Sequence, residues 1–140
     1  MTSLADDSRK QKSPPAYVIA ALALIVLAGL ALRLQIAFSP LEKVIGVCLA
    51  DDAFYYLKIA ENILAGNGPS FDGVIATNGF HPLYMLVCMI LKTLFPGDLT
   101  VLPVLVFFSF IGTINILLMY LLSRKLGGNV AGIAAAWFWA

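Results

Sequence analysis

Apolar residues run along this chain in long blocks separated by short polar clusters. The first block covers residues 16–38, and only Arg33 interrupts it. As a helix its 23 residues would reach about 34 Å, enough for a hydrocarbon core of roughly 30 Å. Pro14 and Pro15 close off the polar tail before it. A second block, 82–95, is shorter and carries Lys92. A third, 100–122, has full spanning length and holds Pro103 in its first turn, where proline is tolerated. A fourth begins at residue 129 and reaches Ala140, about half a bilayer as a helix. The pattern predicts an all-α integral membrane protein with three to four transmembrane helices, the fourth cut short as at the front of a longer protein.

Between the first two blocks, residues 39–81 are too long for a simple connector. Val44 to Ala50 is apolar and expected near the membrane surface. From Asp51 the period changes. Ala53, Tyr56, Leu57, Ala60, Ile63 and Leu64 recur at helical spacing, with Lys58 and Glu61 on another face. Asp51 or Asp52 suits a helix start, and Gly66-Asn-Gly68 suits its end. An amphipathic juxtamembrane helix over 52–65 is the expectation, followed by a structured Gly- and Pro-containing loop up to His81.

Composition narrows the class. Only 12% of residues are charged, 61% are hydrophobic and mean hydropathy is +0.91; a soluble domain typically carries about a quarter charged residues. A net charge of +1 excludes a polybasic nucleic-acid binder, and two cysteines, Cys48 and Cys88, make neither a disulfide framework nor a zinc site. Residues 1–15 hold five charges, including Arg9, Lys10 and Lys12. That cluster predicts a cytoplasmic tail, an uncleaved first anchor rather than a signal peptide, and an extracytoplasmic 39–81 loop. The expected location is the cell membrane, multi-pass. Full crossing of 82–95 would leave Arg124 and Lys125 outside, against the positive-inside rule; a re-entrant 82–95 would put them inside.

Candidate chemistry lies in the outer loop. Asp51 and Asp52 read either as a helix cap or as carboxylates at the membrane surface, beside Tyr55 and Tyr56, fit for general-base work or for a divalent metal ion. His81 reads as a cap for the following helix or as a contact to an anionic ligand.

The order of a membrane anchor, Asp51-Asp-Ala-Phe-Tyr-Tyr56, Gly66-Asn-Gly68 and Thr77-Asn-Gly-Phe-His-Pro-Leu83 resembles the N-terminal part of the GT-C membrane glycosyltransferases. The likeness is to the branch of protein mannosyltransferases and lipid A aminoarabinose transferases. Those enzymes often carry Asp-Glu-Ala-x-Tyr-Tyr in the first outer loop and His-Pro-Pro-Leu at the second span. Here Asp52 stands where Glu is common, and Leu83 replaces the second proline. The resemblance extends over roughly 16–128, to Arg124-Lys-Leu-Gly127.

The resemblance implies transfer of a sugar from a polyprenyl-phosphate carrier to a hydroxyl acceptor, with inversion. Asp51 would be the catalytic carboxylate, Asp52 its neighbour, and Tyr55, Tyr56, Lys58 and His81 would bind substrate. The family's orientation also implies that 82–95 crosses fully. The alternative class is a non-catalytic multi-span protein, a transporter fragment or assembly subunit. Transporters, however, keep ionisable groups inside their spans. A third reading is that 140 residues alone lack activity, without the further helices that would enclose the carrier.

Overall fold

The computed structural model describes residues 13–47 and 51–140, and for 46, 47, 51, 52, 98 and 99 the backbone alone. The regular structure among the described residues is helical, with no strand beyond a single bridge between Ser70 and Ala76. In chain order come α1 (Ala16–Ala37), α2 (Leu41–Val47), α3 (Asp51–Leu64), α4 (Pro82–Leu94), a 3-10 turn (Gly97–Thr100) and α5 (Val101–Trp139). The expected tail at 1–12, with its basic cluster, and Cys48 to Ala50 lie outside the described residues.

Two helices, α1 and α5, are long and apolar enough to cross a membrane. Only 17% and 22% of their most apolar windows are buried. A core helix of a water-soluble protein would bury most of such a surface, so these helices have the character of membrane segments.

The chain divides into two compact units. The first joins residues up to Gly29 with Ile114–Ala140. In it α5 is not straight. Gly127 and Gly128 leave helical geometry, and Gly128 takes φ 74°, a conformation that glycine adopts without a Cβ penalty. A Cβ on Gly132 would lie 2.9 Å from the Tyr120 ring and 3.0 Å from the Tyr120 carbonyl oxygen. In a continuous helix those residues would be about 18 Å apart. The chain therefore reverses at the glycine pair, and residues 129–139 pack back along 114–126. This separates the expected third and fourth membrane segments (100–122 and 129–140), which form two legs of α5. Val18, Ile25, Ile116, Tyr120 and Ala136 make the core.

The second unit is Leu30–Thr113. Here the end of α1 and the start of α5 border one cleft. Ala37 and Phe38 share a cleft with Val101 and Leu105, and Gly112 leaves room for the Arg33 side chain, whose Nε would be 2.9 Å from a Cβ there. The intervening segment therefore departs and returns at the same end of this helix pair. The stretch expected as the second transmembrane helix, 82–95, is the 13-residue α4, about 20 Å long and short of the roughly 30 Å core. It packs against α3, with Ile59, Ala60, Met85 and Cys88 forming a buried cluster. The buried face of α3 is rotated from the expected one. Ile59, absent from the apolar stripe, is fully buried, and Leu64 is 46% exposed.

Candidate functional site

Asp51 and Asp52 open α3, which puts both candidate carboxylates in its first turn; their side chains lie outside the described part, and so does their candidate metal site. Among the described residues no three His, Cys, Asp or Glu side chains gather as metal ligands would. The site is therefore built from the aromatic face one turn further on.

Tyr55 and Tyr56 leave α3 in different directions and fasten different parts of the loop. Tyr55 stacks on Phe71 with ring centroids 4.9 Å apart and meets Thr77 Oγ1 through its hydroxyl at 3.4 Å. Tyr56 packs edge-on against Tyr84 at 4.7 Å, and its hydroxyl oxygen accepts the backbone N–H of His81 at 3.0 Å. Its ring lies 6.3 Å from the His81 imidazole. Tyr84 continues the aromatic row to Phe108 of α5, 5.0 Å away. Two sequence motifs 25 residues apart are thus joined by one hydrogen bond and a row of rings.

His81 occupies the N-cap position of α4, yet its side chain makes no cap hydrogen bond. Pro82 at the first helical position has no N–H to cap. The imidazole is exposed instead, so the capping role expected as one alternative is not what fixes this residue.

The loop behind the site is held by a residue that the sequence reading passed over. Asn62, 6% exposed, donates from Nδ2 to the carbonyl oxygens of Ser70 at 2.8 Å and Phe71 at 2.9 Å. Its own carbonyl accepts the N–H of Asn67 at 2.9 Å. The available signal was an asparagine, a poor helix former, one turn before Gly66-Asn-Gly68. Asp72 Oδ1 accepts the N–H groups of Val74 and Ile75 at 2.9 and 2.8 Å. Those two bonds favour the carboxylate and hold its pKa below the ordinary aspartate value.

Lys58 is not part of this aromatic cluster. Its Nζ lies 3.4 Å from Glu61 Oε1, while Lys92 Nζ, from the last turn of α4, lies 3.3 Å from Glu61 Oε2. The Lys92 hydrogen bond first, then that of Lys58, lowers the Glu61 pKa from its usual value. Of the predicted substrate residues, the structure brings Tyr56 and His81 together, turns Tyr55 to Phe71 and Thr77 and sets Lys58 in a separate ion-pair cluster. The chain matches no protein-family model, no curated protein sequence and no solved structure.

Proposed function

We propose that this chain carries the outer-loop catalytic portion of a GT-C-type membrane glycosyltransferase, using a polyprenyl-phosphate-linked sugar and a hydroxyl acceptor. The observation that carries the reading is the Tyr56 hydroxyl bound to the His81 N–H at 3.0 Å. It unites the two motifs on which the family resemblance rests, at a face where the imidazole is left exposed. In this mechanism Asp51 takes the acceptor's proton as its oxygen attacks the anomeric carbon. The lipid phosphate leaves from the opposite face, so a single displacement inverts the centre. Asp52 supports the base electrostatically. His81, exposed beside the first turn of α4 where unpaired N–H groups favour anions, steadies the departing phosphate, and Tyr55 and Tyr56 shape the sugar's surroundings.

The membrane arrangement belongs to the same proposal. α1 and residues 101–126 cross, the N-terminus and Arg124-Lys125 are cytoplasmic, and everything from Phe38 to Thr100 stays at the outer face, α4 included. The support is the cleft that Ala37 shares with Val101 and Leu105, together with the Lys92–Glu61 bridge, which ties the far end of α4 to α3. This arrangement puts Arg124 and Lys125 on the same side as Arg9, Lys10 and Lys12, as the positive-inside rule favours. It leaves Lys43, Lys58 and Lys92 in the outer segment and replaces full crossing by 82–95.

The catalytic arm is tested with Asp51→Asn, expressed in membranes from the gene's full reading frame. The protein should accumulate normally, while transfer from a polyprenyl-phosphate sugar falls about a hundredfold or more, within the general-base range of 10²–10⁴. A near-wild-type rate would remove Asp51 from the mechanism. The topological arm uses single cysteines at Asp72, Asp98 and Lys125 in a background lacking Cys48 and Cys88. A membrane-impermeant thiol reagent should label the first two in intact cells and the third only after permeabilisation. An Asp98→Cys chain protected in intact cells would mean that α4 crosses after all.

A further inference from the structure

The ion-pair cluster lies in a pocket of about 290 Å³ that the transferase mechanism does not use. One wall is apolar, made by Leu41, Phe54 and Leu57; the polar wall is Lys58, Glu61 and Lys92. Among the described side chains two ammonium groups face one carboxylate, so that part of the wall carries a net positive charge. The Lys92 side chain is only 13% exposed and has lost most of its water, a cost that must be met by partners. Its partner Glu61 is half exposed and shared with Lys58, at separations of 3.3 and 3.4 Å. These are long beside the roughly 2.7–2.9 Å of a tight charge-assisted bond. Each ammonium also has three N–H donors, more than one shared carboxylate can satisfy.

We infer that this pocket is an anion site for a phosphate ester, with Lys58 and Lys92 holding the phosphate oxygens and the apolar wall taking the attached chain or glycerol. A phosphate supplies further acceptor oxygens for the largely buried Lys92 ammonium, with the more exposed Lys58 closing on it from the other side of Glu61. Its negative charge balances the surplus positive one. Glu61 keeps the lysines at their spacing and competes with the ligand, so it sets the affinity. The same chemistry is offered by an anionic phospholipid headgroup and by free phosphate. The inference does not rest on the transferase reading, since Lys92 lies 11 residues from His81, about 16 Å along α4.

The test uses the whole chain in detergent, with retention of phosphatidylglycerol and phosphatidylcholine read by native mass spectrometry and inorganic phosphate titrated in parallel. The wild type should retain the anionic lipid over the zwitterionic one. Lys92→Gln should reduce that retention about tenfold or more, and Lys92→Arg should restore it. Glu61→Gln, which removes the competing charge, should tighten it several-fold. Lysine-dependent binding of inorganic phosphate as well would name the phosphate group alone as sufficient, whereas lipid retention without it would name the headgroup with its chains. Both outcomes uphold the site. Equal retention by wild type and Lys92→Gln overturns it. If Lys92→Gln fails to fold, Glu61→Gln decides: retention no tighter than wild type overturns the proposal.

Discussion

The two compact units fix their helices by different forces. In the unit formed by residues up to Gly29 with Ile114–Ala140, the core is apolar and closeness comes from small residues. Gly132 lies against Tyr120, and Ala136 is fully buried. The Tyr120 hydroxyl is buried without a hydrogen-bond partner. In Leu30–Thr113, by contrast, α3, the loop and α4 are pinned by directed bonds from Asn62, Tyr56 and Lys92. The difference follows from the backbone. Regular helices satisfy their own N–H and C=O groups, so fit at small residues decides how they pack. An irregular loop leaves backbone groups that side chains must hold in one arrangement.

The sharpest way to break this comparison is to spoil the fit. Gly132→Val puts methyl groups where the Tyr120 ring and backbone already stand, and the backbone carbonyl cannot rotate away. Overpacking typically costs about 1–3 kcal/mol, and the expected effect is at the top of that range. It should appear as loss of the reversed hairpin, measured by distances between spin labels at Ile114 and Trp139. Unchanged distances and stability would show that the legs are not packed through Gly132.

The corresponding attack on the other unit is Asn62→Ala. Two loop carbonyls and the helix-to-loop pin lose their donor, at an expected cost of about 2 kcal/mol. Hydrogen exchange should accelerate across 66–77 and leave 116–136 unaffected. Equal acceleration in both regions would mean that the units unfold together and that the contrast drawn above is false.

What the sequence disclosed follows the same division. Hydropathy alone locates the long apolar helices, because an uninterrupted apolar run of that length favours a helix whose backbone groups pair internally. The all-helical class was therefore legible, and α1 ends within a residue of the expected 16–38. The reversal at Gly127-Gly128 was legible only as a gap between two apolar runs, since its direction depends on Gly132 meeting Tyr120, a contact between turns. The status of 82–95 was not legible. Its apolar residues suit a short membrane segment and a helix packed on α3 equally well, and the two are distinguished by the labelling of Asp98→Cys proposed above. At the candidate site, the motifs singled out Tyr55, Tyr56 and His81; Tyr56 and His81 meet, while Tyr55 turns to Phe71 and Thr77. The resemblance also implied a substrate role for Lys58, whereas helical spacing set Lys58 beside Glu61 on another face, and Lys58 does pair with Glu61, which Lys92 shares.

A paired substitution sharpens the comparison through its sign. Tyr56→Phe keeps the ring against Tyr84 and removes the acceptor for the His81 N–H, so it should destabilise by about 1 kcal/mol. Tyr120→Phe removes a buried hydroxyl with no hydrogen-bond partner and should be neutral or slightly stabilising. Thermal denaturation in one detergent measures both. If the two variants shift the midpoint in the same direction and by the same amount, polar pinning is not what distinguishes the regions.

The smallest expected effect tests whether charge contributes to pinning α3 onto α4. Glu61 has its pKa lowered by Lys92 first and Lys58 second, so in the folded chain it binds its proton less readily than in the unfolded one. For a depressed carboxylate the stabilisation is present above the unfolded value and fades as pH falls through the folded one. The window therefore lies below the ordinary glutamate value of 4.5. Because the Glu61 side chain is half exposed, solvent and salt screen it, and the bridge to Lys92 should be worth less than about 1 kcal/mol. Lys92→Gln should lower the denaturation midpoint slightly at pH 7. The deficit should shrink as pH is taken from 5 towards 3, and also with added salt. A deficit that stays constant through both changes would assign Lys92 a packing role through its aliphatic stem, and would leave α3 and α4 held by Ile59, Ala60, Met85 and Cys88 without help from charge.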